Sequence, residues 1–354
     1  MTAIDKRRRS LATFLLLVTA AACTTVPTHP TAGAGGTDPY AAYVWPPPPD
    51  QARIRLVTIL SGRPDVEAGS HWQAVLIGAS PQSLYDWLKK PYGVAFDGQG
   101  RILVTDPALG ALFRFDRQGR RLDVFGTTGS LRLKLPLGVS VAASGRIYVA
   151  DAALRRVVAF DPAGKVVGAF GKEGELVNPT DAVVAPDGGA LYVADSKGQR
   201  IVVFDLKSGH KTAEFGKRGD GEGEFNFPTS LAFDHAGNLY VVDQINCRVE
   251  VFSPDGEFLD TFGRRGVGFG DFVRPKGIAV DRKGLIYVTD GAFNNVQVFN
   301  PDLHLLTFVG GGGTGPGAFQ VAAGVAVRGN EFAVVDELGH RVQLFRFLQP
   351  RTEE

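Results

Sequence analysis

An aspartate that closes a short apolar run recurs six times at nearly even spacing, and this periodicity limits the fold more than any other feature of the chain. The runs are 92–106 (YGVAFDGQGRILVTD), 137–151 (LGVSVAASGRIYVAD), 180–195 (TDAVVAPDGGALYVAD), 229–243 (TSLAFDHAGNLYVVD), 276–290 (KGIAVDRKGLIYVTD) and 323–336 (AGVAVRGNEFAVVD). Their last residues are Asp106, Asp151, Asp195, Asp243, Asp290 and Asp336, a period of 44 to 48. A repeat of that length is one supersecondary unit that cannot bury its apolar surface alone.

Inside a unit the pattern is β. The apolar stretch Gly277–Val280 meets an Asp/Gly turn and then Ile286–Thr289; a polar loop leads to Val296–Phe299, and Asn300-Pro301-Asp302 turns the chain into Leu305–Val309. Four short antiparallel strands per repeat make one propeller blade, and the 45 glycines of the chain supply the turns. Blades lie near 91–126, 136–171, 179–216, 228–263, 275–310 and 322–348.

The last unit stops after Val342–Phe347 without a fourth strand, while residues 53–62 (RIRLVTILSG) form an orphan strand that ends like 212–216 and 258–263. The expectation is an all-β, six-bladed propeller over 53–348, with 53–62 completing the last blade and removing an exposed sheet edge. Residues 349–354 are a tail.

The recurrent pattern Gly-[Val/Ile]-Ala-[Val/Phe]-Asp, then [Ile/Leu]-Tyr-Val-x-Asp, then Arg-Val-x-Val-Phe resembles the NHL repeat. The resemblance spans about 91–348 and implies a six-bladed ring of four-stranded blades.

Lys6–Arg9, the apolar run Leu11–Ala22 and small residues before Cys23 read as a secretory leader over 1–22. The run is well short of the ~20 residues of a spanning helix. Ala20-Ala21-Ala22-Cys23 resembles the bacterial lipoprotein cleavage box, although Ala20 stands where that family usually has Leu. The resemblance implies acylation of Cys23 and attachment to a bilayer, on the periplasmic or cell-surface side. Residues 23–52 read as a flexible, Pro-rich tether, stiffened at Pro46–Pro49. A propeller with a lipobox and a Pro-rich segment also resembles the bacterial NHL lipoproteins.

Removing the leader leaves 34 basic against 36 acidic side chains, net −2. A near-neutral protein lacks the field that non-specific nucleic-acid binding needs, so no nucleic-acid partner is expected. Cys23 and Cys247 are the only cysteines, so packing rather than a disulfide framework must hold the fold.

Function in such a ring belongs to the 4→1 and 2→3 loops, which share one face around the channel. The residues just before the inner strands should rim its mouth. Tyr92, Thr180, Asp181, Thr229, Ser230 and Lys276 are the candidate ligand-binding set, beside Leu137 and Ala323. Lys217, Arg218, Arg264, Arg265 and Arg274 form a basic arc on adjacent loops and are candidate partner-binding residues. The recurring Asp, with Arg156, Arg200, Arg248 and Arg341 downstream, reads as scaffold because nearly every blade repeats it.

His210, His235 and His304 fall at the end away from the mouth and only His340 near it, so no zinc cluster of histidines is expected. The NHL-type peptidyl-hydroxyglycine amidating lyase is similar in blade pattern, but it carries zinc-binding His after the blade proline. Thr180, Thr229 and Lys276 stand there in this chain. No catalytic residue and no cofactor is named by the sequence.

Two functions follow. The first is a non-enzymatic scaffold of the cell envelope that recognises a protein or peptide through its loop face. The alternative is a hydrolase or lyase with a divalent cation at the channel mouth, held by Asp181, Glu175 and backbone carbonyls.

Overall fold

The computed structural model describes residues 38–67 and 83–348. Blade 1 takes strands Val94–Phe96, Ile102–Asp106, Ala111–Asp116 and Arg121–Phe125, in order from the axis outward, all antiparallel. The same order repeats over 136–170, 179–215, 228–262 and 275–310. Among the described residues helix is confined to two short 3₁₀ turns, Arg63–Asp65 and Ser196–Gly198. Among the described residues no helix is long and apolar enough to cross a membrane.

Blade 6 is assembled from both ends of the described chain. Ala322–Arg328, Glu331–Asp336 and Arg341–Phe347 are completed by Ile54–Leu60, which pairs antiparallel from Ile54 opposite Phe347 to Leu60 opposite Val342. The expected closure of the ring by the strand near residue 57 is therefore observed.

The second strand of each blade is apolar on both faces because each sheet is sandwiched between two others; Ile147–Asp151 and Ile286–Asp290 are buried at every residue. The buried side chains sort into six clusters, one for each pair of neighbouring blades. The cluster between blades 6 and 1 joins Leu60, Val342 and Leu344 to Ile102, Val104 and Phe113. Ring closure is thus a buried interface like the other five.

Residues 38–52 belong to the segment read from the sequence as tether, and here the structure differs. Val44–Trp45 adds a fifth strand outside Ile54–Leu60, Tyr40 is buried, and the Trp45 ring meets Phe345 edge-on at 5.5 Å. Asp38 receives the Arg55 guanidinium at 2.6 Å. Tyr40, Tyr43 and Trp45 supply apolar area that the polar average of the segment conceals. The leader, Cys23 and residues 349–354 lie outside the described residues.

The recurring aspartates knot the loop face together. Asp290 accepts the amides of Val273 (2.7 Å) and Arg274 (3.0 Å) from the 4→1 loop, and those of Ala292 and Phe293 from its own 2→3 loop. Asp106 holds Lys89 and Lys90 and Asp151 holds Lys134 and Leu135 in the same way. All six are fully buried. Arg200, Arg248 and Arg341 add ion pairs at 3.2, 3.1 and 3.0 Å, whereas Arg156 makes no such pair among the described residues. Buried carboxylates that accept several N–H groups are well satisfied without it.

Three 4→1 loops share one geometry. Arg218 bridges Phe225, Arg265 bridges Phe272 and Gly312 bridges Phe319, and all three phenylalanines are fully buried. Each loop is also held from the third strand of the following blade. Gln297 donates to the Asp271 carbonyl (2.9 Å), and Gln343 donates to the Ala318 carbonyl (2.6 Å) while accepting from the Gly317 amide (2.7 Å). In blade 4 the same register position is Glu250, opposite Val241 as Gln297 is opposite Val288. Its Oε1 accepts from the Gly223 amide at 3.2 Å, and its Oε2 is buried with no partner among the described residues. Burial, aided by the Asp243 charge, pushes the Glu250 carboxyl up to about 7 against the pull of Arg248.

Two predictions follow from this packing. Leu56→Ala, in the closing strand, should cost about 2–5 kcal/mol in urea unfolding, the loss typical of a fully packed core leucine. A near-zero cost would contradict a buried closure. Glu250, with its folded pKa raised above the ordinary 4.5, contributes stability that is present below 4.5 and lost as pH rises through about 7. Glu250→Gln should therefore gain on the order of 1–3 kcal/mol at pH 8, and the gain should shrink toward pH 5.

Candidate functional site

The six inner strands surround a central cavity of about 280 Å³. Four of them carry glycine one residue in from the mouth (Gly93, Gly138, Gly277 and Gly324), and this lets the strands approach closely. A Cβ on Gly277 would lie 2.6 Å from the Ala323 carbonyl oxygen, and one on Gly324 would lie 2.6 Å from that of Tyr92. Blades 3 and 4 break the pattern with Asp181 and Ser230. The ladder slips by a residue at this place in both, between Pro179 and Asp181 and between Pro228 and Ser230, as it also does in blades 2, 5 and 6.

All six sequence-predicted mouth residues line this cavity, in two unlike halves. On the side of blades 5, 6 and 1, the Lys276 ammonium pairs with Glu337 and lies 5.1 Å over the Tyr92 ring. Lys90 approaches the other Glu337 oxygen at 3.4 Å. Burial pulls the Lys276 ammonium below its usual range, and the Glu337 charge resists that pull. Burial alone would raise Glu337, but Lys276 and Lys90 together hold it below the usual range. The Tyr92 hydroxyl is pushed up by burial and by the Glu337 and Asp181 carboxylates.

On the side of blades 3 and 4 the groups are hydroxyls and one carboxylate. Ser196 donates its hydroxyl proton to the Pro228 carbonyl, which leaves Thr180 as the donor in the 2.7 Å hydrogen bond between Thr180 and Ser196. Thr229 donates to the Lys276 carbonyl at 3.3 Å. Asp181 accepts from the Ser230 hydroxyl (2.9 Å) and the amides of Leu231 (3.0 Å) and Ala182 (2.9 Å). Burial raises its pKa to about 6, and those three hydrogen bonds oppose the rise. Every hydroxyl is thus committed to the wall.

Sequence reasoning missed Glu337 and Ser196. Each directly follows a recurring Asp, at the position filled by Pro107, Ala152 and Gly291 in other blades, and this second ring was readable from the alignment of repeats. Lys90 was missed too, because nothing in the sequence says that it reaches Glu337.

The basic arc is less free than its count implies. Lys217 pairs with Glu224 and Arg264 with Asp271 inside their own loops, both at 3.1 Å. Arg265 donates to the Ile245 carbonyl (2.7 Å) and Arg274 to that of Gly291 (2.5 Å). Arg218, Arg265 and Arg274 make no ion pair among the described residues.

A family model described as NHL repeat matches residues 176–204, and one described as 6-bladed beta-propeller matches 229–290. The chain is an NHL-repeat six-bladed β-propeller. No curated protein matches this NHL propeller in sequence. Among solved structures it is similar to virginiamycin B lyase from Staphylococcus aureus (TM-score 0.55, 11% identity, 73% of this chain and 95% of that one). It is also similar to a protein of unknown function from Bacteroides thetaiotaomicron (0.61, 17%, 74% and 70%). A third is a gluconolactonase from Xanthomonas campestris (0.55, 20%, 75% and 88%). At these identities the likeness shows the shared fold.

Asp181 gives the NHL propeller a pH signature. With its folded pKa raised from 3.8 to about 6, its contribution to stability is complete below 3.8 and lost as pH rises through about 6. In urea unfolding, Asp181→Asn should gain on wild type across that window and keep a constant lead above it. A lead independent of pH would refute the assignment.

Proposed function

We propose that this propeller is a non-enzymatic binding scaffold of the cell envelope, held on the bilayer by acylated Cys23, that recognises a protein or peptide through its loop face. Its main support is where the large apolar side chains are exposed. Leu135, Val177, Phe227 and Val273 stand within two residues of a blade proline on successive 4→1 loops; Ile245 and Leu338 sit on 2→3 loops, and Val267 and Phe269 at a loop tip. These eight of the thirteen exposed large apolar side chains among the described residues share the face that surrounds the mouth, whereas Val167, Leu259, Leu306 and Phe308 lie on outer strands. Clustered apolar exposure around a rigid rim marks a surface that meets a partner.

The enzymatic alternative, a metal-dependent hydrolase or lyase, draws on the fold shared with virginiamycin B lyase and gluconolactonase. The arrangement of carboxylates supports the scaffold reading more than a metal site at the mouth. Asp181 spends its oxygens on wall donors, Glu175 caps its own loop by accepting the Lys172 amide at 2.7 Å, and no three His, Cys, Asp or Glu gather among the described residues.

A photo-crosslinking amino acid at Phe227 or Val273 should yield discrete protein adducts in cell envelopes, and the same probe at Leu259 on the outer strand should not. Equal labelling at all three positions, or none at the loop positions, would overturn the scaffold reading.

A further inference from the structure

The three like-shaped 4→1 loops provide an internal control. At the two tip positions the loop before blade 4 carries Asp220 and Glu222, and the loop before blade 6 carries Thr314 and Pro316. The loop before blade 5 carries Val267 and Phe269, 87% and 89% exposed. The shared backbone bridges show that this loop shape does not need apolar tips. Exposing a valine and a phenylalanine here is a cost that the fold does not require.

At the base of the same loop, between blades 4 and 5, lies a groove of about 390 Å³ with Gln244, Ile245, Val273 and Ala292 in its walls and Cys247 beneath. Arg265 and Arg274 flank it. Each donates to one backbone carbonyl, and neither has a carboxylate within ion-pair distance among the described residues. The neighbouring loop acid, Asp271, is spent on Arg264. The groove is therefore apolar, of a size for one or two side chains, and bordered by two cations open to an anion.

We propose that this groove, together with the exposed Val267 and Phe269 tip of the loop whose Arg265, Val273 and Arg274 line it, docks an acidic, apolar segment of a partner polypeptide. A carboxylate of the segment lies between Arg265 and Arg274, and an adjacent large apolar side chain fills the space over Ile245 and Val273. This rests on the loop-face reading and specifies the chemistry of the partner.

Selection of a random heptapeptide library on the purified protein tests it. Enriched peptides should pair Asp or Glu with Leu, Phe or Met. They should bind roughly tenfold or more weakly to Arg265→Gln/Arg274→Gln and to Val267→Asp/Phe269→Glu. The second variant copies the acidic tip of the sibling loop, so its fold is expected to persist, and unchanged melting midpoints check this. Lys217→Gln/Arg218→Gln should bind like wild type. Enriched peptides without acidic residues, or equal binding to all variants, would overturn the groove and leave a loop-face scaffold standing. No enrichment, whether or not phosphatidylglycerol vesicles bind through Val267 and Phe269, would overturn both.

Discussion

Everything in this molecule depends on burial between blades. No blade has a core of its own: each sheet presents apolar side chains on both faces, and the buried residues fall into six clusters that each straddle two blades. Such surface is removed from water only if every sheet has two neighbours, so an open arc would leave two apolar faces exposed. The strand Ile54–Leu60 solves the remaining edge by joining Arg341–Phe347, and the aromatic pair Trp45 and Phe345 extends that seam outward.

A closed ring transmits its rigidity to the loops through the six buried aspartates. Five of them tie the approach to an inner strand to the corner that follows the second strand, and Asp195 ties it to Arg200 just beyond that corner, so 4→1 and 2→3 loops act as one surface. This frees neighbouring positions to vary in chemistry. The rim then divides into a charged sector at Lys276, Glu337 and Lys90 and a hydroxyl sector at Thr180, Ser196 and Thr229. The loops outside it carry the exposed apolar groups.

Much of this was legible in the repeats. Spacing, alternation and turn residues predicted the number of blades, their strands and the missing fourth strand. The same alignment placed Tyr92, Thr180, Asp181, Thr229, Ser230 and Lys276 around one cavity. The anchoring of Tyr40 and Trp45 was not legible, because a short segment of mixed composition packs only when a specific groove is offered to it. Nor was the neutralisation of Lys217 and Arg264, since a count of cations does not show which carboxylates the loop folds back.

The sequence by itself determined the architecture: a periodic apolar pattern has one economical way to bury itself, and that solution is local and repeated. Only the tertiary structure decided the chemistry of the surface. Pairings such as Lys276 with Glu337, 61 residues apart, and the meeting of Ile245 and Ala292 around one apolar groove depend on how different blades are brought side by side. Repeats encode the blade, but contact across the ring is set by three-dimensional closure, which no single repeat contains.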